Sequence, residues 1–421
     1  MIHPLHDARG ASRSVAARLE EAAGLALALD LVVVQTLAAP LRGRTPATLF
    51  GKGKVEEIGR LCEDEEVDVA VVDDALTPVQ QRNLEKAWKV KVVDRTGLIL
   101  EIFARRARTR EGRLQVELAR LTYERSRLVR TWTHLERQRG GFGVMGGPGE
   151  TQIETDRRLL AEKIARLKKD LIEVRRTRTL QRSARKRAPY PMVALVGYTN
   201  AGKSTLFNRL TDSKVVAEDM LFATLDPTLR TLKLPDGRPA ILSDTVGFIS
   251  DLPHELVESF RATLEEVKEA DVILHVRDIA SEETEAQAKD VRAVLERLGV
   301  DLDERRVIEV WNKSDLLDDD TLAQVAGDAR RAHPPAQLAS AVTGEGCDGL
   351  LDTVAALVDD APPVAVRAPP GDGAAVAWLY RHGRVTKRTA EEDGAVMLSV
   401  RLSPQALGQF EQMFPEAELR V

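Results

Sequence analysis

The sequence predicts a multidomain α/β protein. Its expected parts are an N-terminal α/β domain with a parallel sheet, an antiparallel helical hairpin, a Ras-like phosphate-loop (P-loop) domain and a small C-terminal α/β module. Three observations lead there. Short β-branched runs alternate with helical stretches at the start of the chain. Two leucine seams at heptad spacing then flank a glycine-rich stretch, and an apolar strand runs directly into Gly197-Tyr198-Thr199-Asn200-Ala201-Gly202-Lys203-Ser204. The boundaries fall at 1–95, 96–187, 188–361 and 371–421, as expected of 421 residues, too many for one ordinary core.

In the first region, Leu31–Val34, Val67–Val72 and Val90–Val93 read as strands buried on both faces. Lys54–Glu66 and Pro78–Lys89 read as the helices between them, with Thr77 as N-cap and Pro78 at the first helical position. Alternation of this kind implies a parallel sheet. Gly51-Lys52-Gly53-Lys54 is either a turn entering a helix or a phosphate contact.

From Thr96 the pattern becomes helical. Leu114, Leu118, Leu121, Arg125, Leu128, Trp132 and Leu135 repeat at 4-3 spacing, as do Leu160, Ile164, Leu167, Leu171 and Val174. Helices with matching seams should pair as a hairpin around the loop Gly140–Gly149. Its arginines, Arg105, Arg106, Arg108, Arg110, Arg125, Arg127 and Arg130 among them, are expected to face mostly outward. The run Arg175–Arg187 reads as a linker, as does the proline-rich Ala361–Pro370. In the tail, Val376–Tyr380 and Pro404–Met413 read as helix and Val396–Val400 as strand.

Composition narrows the class. With 43% hydrophobic and 30% charged residues, this is a globular composition. Two cysteines, Cys62 and Cys347, lack metal-ligand spacing and suit a reducing compartment. The polar Met1–Gly10 does not resemble a signal peptide, and Leu25–Leu37, the longest apolar stretch, is interrupted by Asp30. A monomer in the cytoplasm is expected, with peripheral association at a membrane left open. The net charge of −5 conceals an asymmetry: residues 95–187 hold 25 Lys/Arg against 11 Asp/Glu, and the remainder is acidic. A basic block in an acidic protein points to a polyanionic partner.

The chemistry lies in the third region. Gly197 and Gly202 let the loop wrap a β-phosphate, and the helix beginning Thr205-Leu206-Phe207 adds its positive end. Lys203 should bridge the β- and γ-phosphates, and Ser204 should ligate Mg2+. Asp244-Thr245-Val246-Gly247 closes a strand, placing Asp244 toward magnesium through water and the Gly247 N–H toward the γ-phosphate. Thr224, in Phe222-Ala223-Thr224-Leu225-Asp226, is the expected switch threonine and second metal ligand. Asn312-Lys313-Ser314-Asp315 closes another strand; the Asp315 carboxylate can accept the two adjacent donors that guanine has and adenine lacks, so GTP/GDP is the expected ligand. The backbone of Ser340-Ala341-Val342 would close over the guanine oxygen. Taken singly, each motif could be a turn or a cap. In this order, each at a strand end, they make a guanine-nucleotide site.

One substitution stands out. Phe248 follows Gly247, where Ras-like enzymes carry the glutamine that orients the attacking water. Intrinsic hydrolysis should then be slow unless a partner or another group assists. Asn200 either helps hold a monovalent cation such as K+ near the phosphates or stabilises the loop.

The residues resemble the HflX-type ribosome-associated GTPases, within the translation-factor-related Obg-HflX-like superfamily. The resemblance rests on Gly51–Glu57, Gly147-Pro148-Gly149-Glu150-Thr151-Gln152 through Arg158, the phosphate loop, Phe222–Thr228 and Asp244–Ile249. It implies this domain order, binding to the large ribosomal subunit through its RNA, and splitting of stalled or idle ribosomes. The alternative is a GTP-switched assembly factor for the large subunit. A hydrophobic residue in place of the glutamine is also implied by the family. Phe142–Gly147 departs from it by lacking a basic residue, and the segment after Pro370 matches only weakly.

Overall fold

A computed structural model describes residues 1–5, 13–41, 43–138, 148–185, 190–213, 220–235, 237–251, 265–300, 306–358, 363–391, 393–402 and 404–420. They form two compact units, Met1–Leu350 and Leu351–Val421.

The first unit opens with a parallel sheet in the order β2-β1-β3-β4, made of β1 (Ile2–Leu5), β2 (Leu37–Pro40), β3 (Val69–Val72) and β4 (Lys91–Asp94). Helix α1 (Val15–Leu27) is capped by Ser14, α2 (Lys52–Asp64) starts at Gly51, and α3 (Pro78–Trp88) carries a full capping box between Thr77 and Gln80. The glycine-lysine segment is thus a helix entrance. Leu31–Val34 is not a strand: the chain turns at Asp30 in the left-handed region and leaves Val32 88% exposed. Pairing instead falls on Leu37–Pro40, because β1 supplies the ladder there, beginning with Leu37 N–H to the Met1 carbonyl. Tertiary pairing outweighs the β-propensity of the valines.

Among the described residues, the helical region holds three helices. α4 (Arg95–Arg106) is capped by Asp94, α5 (Arg110–Gln138) follows a break at 107–109, and α6 (Pro148–Arg185) packs along α5. Ile164, Leu167 and Leu171 are buried as the seam requires, and Arg125 stays exposed. Two expectations are corrected. Arg175–Arg185 continues α6 rather than forming a linker, since no glycine or proline interrupts its helix-favouring residues. Arg127 faces inward, donating to Asp94 Oδ2 at 3.2 Å and the Leu76 carbonyl at 3.1 Å. The loop residues Phe142–Gly147 and the side chain of Arg130 lie outside the described residues.

A six-stranded sheet, β10-β9-β8-β5-β7-β6, carries the third region. Its strands are β5 (Met192–Gly197), β6 (Thr228–Lys233), β7 (Pro239–Asp244), β8 (Val272–Asp278), β9 (Arg306–Asn312) and β10 (Gln337–Leu338). All neighbours are parallel except β6 with β7. One apolar core joins this region to the N-terminal helices: Leu98, Ile102 and Phe103 pack with Val196, Phe222 and Phe248.

The second unit is an antiparallel sheet, β12-β13-β11-β14, of β11 (Pro363–Ala368), β12 (Arg384–Ala390), β13 (Val396–Arg401) and β14 (Glu418–Arg420). The helices Gly373–His382 and Pro404–Met413 accompany it, with Trp378, Leu379 and Phe410 in its core. Part of the expected proline linker is therefore a strand inside the sheet. Proline is tolerated at its first residue, and Val364, Val366 and Ala368 alternate inward.

Candidate nucleotide site

The site forms at the C-terminal ends of β5, β7 and β9, where the sheet delivers its three motifs side by side. Gly197 ends β5 at φ 153°; a Cβ there would lie 2.2 Å from the Val276 carbonyl oxygen. Gly202 sits at φ 87° as N-cap of α7 (Lys203–Thr211), 2.2 Å from Asn312 Nδ2 if it carried a Cβ. Both glycines are required by close packing as well as by backbone conformation. The cleft above them is lined by Thr199, Asn200, Gly202, Lys203, Ser204, Thr205, Met220, Phe222, Ala223, Thr224, Thr245 and Gly247.

Lys203 is buried, and its Nζ donates to the Tyr198 carbonyl at 2.7 Å. Burial pulls the ammonium down to about 8, with the Asp244 carboxylate opposing. Burial likewise pushes the Asp244 carboxyl up, against Lys203 and hydrogen bonds from Ser204 and Thr224. Asp244 Oδ2 accepts from Ser204 Oγ at 2.8 Å and Thr224 Oγ1 at 3.0 Å, and the two hydroxyls are 2.8 Å apart. Asp244 Oδ1 is buried without a hydrogen-bond partner among the described residues. Two hydroxyls converging on a buried carboxylate form an all-oxygen donor set that fits Mg2+.

At the end of β9, Asn312 is a strut. Its Nδ2 donates to the Ala201 carbonyl at 2.9 Å, and its Oδ1 accepts from Ala341 N at 3.0 Å. It thereby ties the phosphate loop to the Ser340-Ala341-Val342 loop. Lys313, in the left-handed region, pairs with Asp278 at 2.8 Å. Asp315 is exposed, as is Val342, while Ser340 and Ala341 are buried. Arg209 Nε holds the Ala341 carbonyl at 3.2 Å, and its Nη2 holds that of Val342.

The side chains of several expected residues are engaged within the protein. Ala201, Leu225 and Val246 are buried, and Thr245 Oγ1 donates to the Leu195 carbonyl at 2.6 Å. Asp226 accepts hydrogen bonds from residues 108 and 109. Phe248 lies in the apolar core, bonded to the loop only through its backbone: Thr199 N donates to its carbonyl at 2.7 Å, and its own N–H to Gly197 O at 3.1 Å. It presents no polar group to a water. Asn200, at φ 61°, is exposed at the rim of the cleft.

Behind the loop lies a network without a sequence motif. The Tyr198 hydroxyl donates to Glu21 Oε2 and accepts from Ser250 N at 2.8 Å and Arg13 Nη1 at 2.9 Å. Arg13 reaches Glu21 at 2.7 Å and Arg95 reaches it at 2.6 Å. Arg95 also binds Asp73 at 2.5 Å and the Ser250 carbonyl at 2.9 Å. Burial alone would raise the Glu21 carboxyl; Arg95 and Arg13 overcome it and hold it at about 2. The available clue is a carboxylate on the apolar face of α1: Glu21 is buried beside Ala22, Leu25 and Ala26, at helical spacing.

Four family models cover most of the chain. They are described as GTP-binding GTPase N-terminal (residues 16–104), GTP-binding GTPase Middle Region (106–185), 50S ribosome-binding GTPase (192–313) and HflX C-terminal domain (329–418). The last extends the family match through the segment after Pro370, where only a weak match was expected. The chain is 52% identical to "GTPase HflX" of Magnetococcus marinus over 394 residues, covering 93% of this chain and 90% of that one. To the Escherichia coli protein of the same name it is 44% identical over 386 residues, 91% and 89% of the two chains. Among solved structures, a GTP-binding protein from Sulfolobus solfataricus in complex with GDP aligns at 23% identity and TM-score 0.45, over 85% and 97% of the chains.

Proposed function

The chain belongs to the HflX family of GTPases and is a GTP hydrolase, and on that premise we propose that it docks on the large ribosomal subunit through its basic hairpin and splits stalled or idle ribosomes. The observation that carries the proposal is the pairing of a guanine-nucleotide cleft with a hairpin whose outer surface is cationic. Arg110, Arg113, Arg120 and Arg125 on α5 are exposed, as are Arg157, Arg158, Lys163, Arg166, Lys168 and Lys169 on α6. Such side chains bind phosphates in a salt-dependent way without reading sequence.

In the site, Lys203 would exchange its backbone acceptor for the β- and γ-phosphates, which supply the counter-charge its burial lacks. Ser204 and Thr224 would hold Mg2+ and Asp244 would act on it through water; the ion supplies charge neutralisation at the phosphates. The Gly247 N–H would meet the γ-phosphate, and the Asp315 carboxylate would accept the guanine donors. Phe248 offers no hydrogen bond to the attacking water, so turnover alone should be slow and a partner should accelerate it. Asn200, exposed at the rim of the cleft, would help hold K+ beside the phosphates.

Sedimentation of intact ribosomes with the full chain and GTP, GDP or a non-hydrolysable analogue tests this reading. Subunits should separate with the triphosphates but not with GDP, and charge reversal at Lys163, Arg166 and Lys169 should abolish the effect. Decoration of free large subunits without dissociation would favour the assembly-factor reading. Parallel turnover assays in sodium and potassium decide the role of Asn200: equal rates exclude a bound monovalent cation.

A further inference from the structure

The switch segment that carries Thr224 is bonded to the foot of the hairpin. Asp226 Oδ2 accepts from Arg108 N at 2.7 Å and Thr109 N at 2.8 Å, and its Oδ1 accepts from Thr109 Oγ1 at 2.5 Å. Thr109 in turn caps α5, accepting from Gly112 N at 2.9 Å. The carboxylate lies flush against that first turn: a Cβ on Gly112 would stand 2.3 Å from Asp226 Oδ1. Its charge suits a helix N-terminus. Close by, Phe103 of α4 meets Phe222 edge-on at 4.7 Å, and Arg106 Nη2 reaches Met220 Sδ at 3.9 Å.

We infer that Asp226 and Thr109 form a positioning pair that couples the nucleotide-dependent placement of Thr224 to the orientation of the hairpin. Thr224 and Asp226 are separated by one residue, Leu225, which is buried in the core. Two residues of chain span at most about 7 Å, so Thr224 cannot move far without moving Asp226 or breaking its hydrogen bonds. α5 extends 29 residues from this foot, and a helix rises about 1.5 Å per residue, so a small tilt at the base becomes a displacement of several ångströms at the far end. By linkage, a partner that fixes the hairpin favours the Thr224 position that the triphosphate favours. The pair is exposed or half-buried, so its hydrogen bonds can be exchanged for water within a cycle.

The ribosomal consequence rests on the docking proposed above; the coupling itself is a property of the free chain. It is tested by amide exchange at Gly112 and Arg113 in the full chain with GDP and with a non-hydrolysable GTP analogue. Wild type and Thr109→Ser should show rates that differ between the nucleotides by about fivefold or more. Thr109→Val should remove that difference while nucleotide affinity and ribosome-free kcat stay within about twofold, in the range of an uncoupled site. Asp226→Asn should reduce the difference from the other side of the contact. Retention of the full difference in Thr109→Val, or its absence in wild type, overturns the inference. Ribosome co-sedimentation, run separately, decides the docking, so either proposal can fail alone. If both hold, Thr109→Val should lower ribosome-stimulated kcat about fivefold with little change in the concentration of ribosomes needed.

Discussion

Beside the apolar core they share, the N-terminal part of the chain and the nucleotide region are joined by two polar contacts built from opposite materials. Behind the phosphate loop, Arg13, Glu21, Asp73, Arg95, Tyr198 and Ser250 form a network whose side chains are nearly all removed from water. In front, at the switch segment, the half-buried Asp226 meets the exposed Thr109 and two backbone amides. A buried ion pair loses much of its Coulombic gain to desolvation, but removing one partner strands the others. Such a contact cannot open and close in a working cycle. An exposed one can, because water replaces each lost hydrogen bond. The rear contact therefore fixes the loop, and the front contact is free to report its state.

Glu21→Gln should break the rear contact with the largest effect. The amide leaves Arg13 with only the longer pairing of its Nε to Glu283 at 3.7 Å, and Arg95 with Asp73 alone, a loss of roughly 3–5 kcal/mol in unfolding free energy by urea titration. The dependence on pH has a definite sign. The folded carboxyl is held at about 2, below the ordinary 4.5. Its contribution is therefore complete above the unfolded value and is lost as pH falls from there toward 2. The variant should show a flatter stability profile across that window, and an unchanged slope would count against the network.

Arg127→Ala should have an intermediate effect and sharpen the contrast. Arg127 ties α5 to Asp94, but Asp94 keeps donors from Gly97 N, Leu76 N and the Tyr123 hydroxyl. With the carboxylate still solvated by these, roughly 1.5–3 kcal/mol should be lost. GTP affinity, measured by titration with a fluorescent analogue, should stay at the wild-type value, since the residue anchors the hairpin to the N-terminal sheet and not to the cleft. A large loss of affinity would mean that the anchors are not independent.

The same contrast explains what could be read in advance. The strand-end placement of the phosphate loop, Asp244 and Asn312 was legible because each lies within a short strand-and-turn segment, and the order of those segments narrows what each could be. The hairpin was legible through its leucine period. The rear network was not, because Arg13 and Ser250 are 237 residues apart and only the fold brings them together. Asp226 illustrates a different limit. It belongs to a recognisable segment, yet its carboxylate caps the turn at Thr109 instead of facing the cleft. β2 shows a third: Leu31–Val34 has the stronger propensity, but strand register follows the partner β1.

The smallest expected effect comes from the margin of the rear contact. Arg18 Nη1 lies 3.1 Å from Asp251 Oδ2, with the side chains 28% and 67% exposed. Both belong to segments that feed the buried network: Arg18 is one turn before Glu21 in α1, and Asp251 follows Ser250. Proximity to the network would suggest importance, whereas exposure predicts the reverse. Held in water, the pair gains little beyond the entropy spent in ordering two long side chains, and Arg18→Ala should cost less than about 1 kcal/mol. Urea titration at low and high salt separates the possibilities. A difference that vanishes as salt is raised matches a screened surface pair. A loss near that of Glu21→Gln, persisting in high salt, would show that the boundary between the fixed contact and the solvent lies farther out than Ser250.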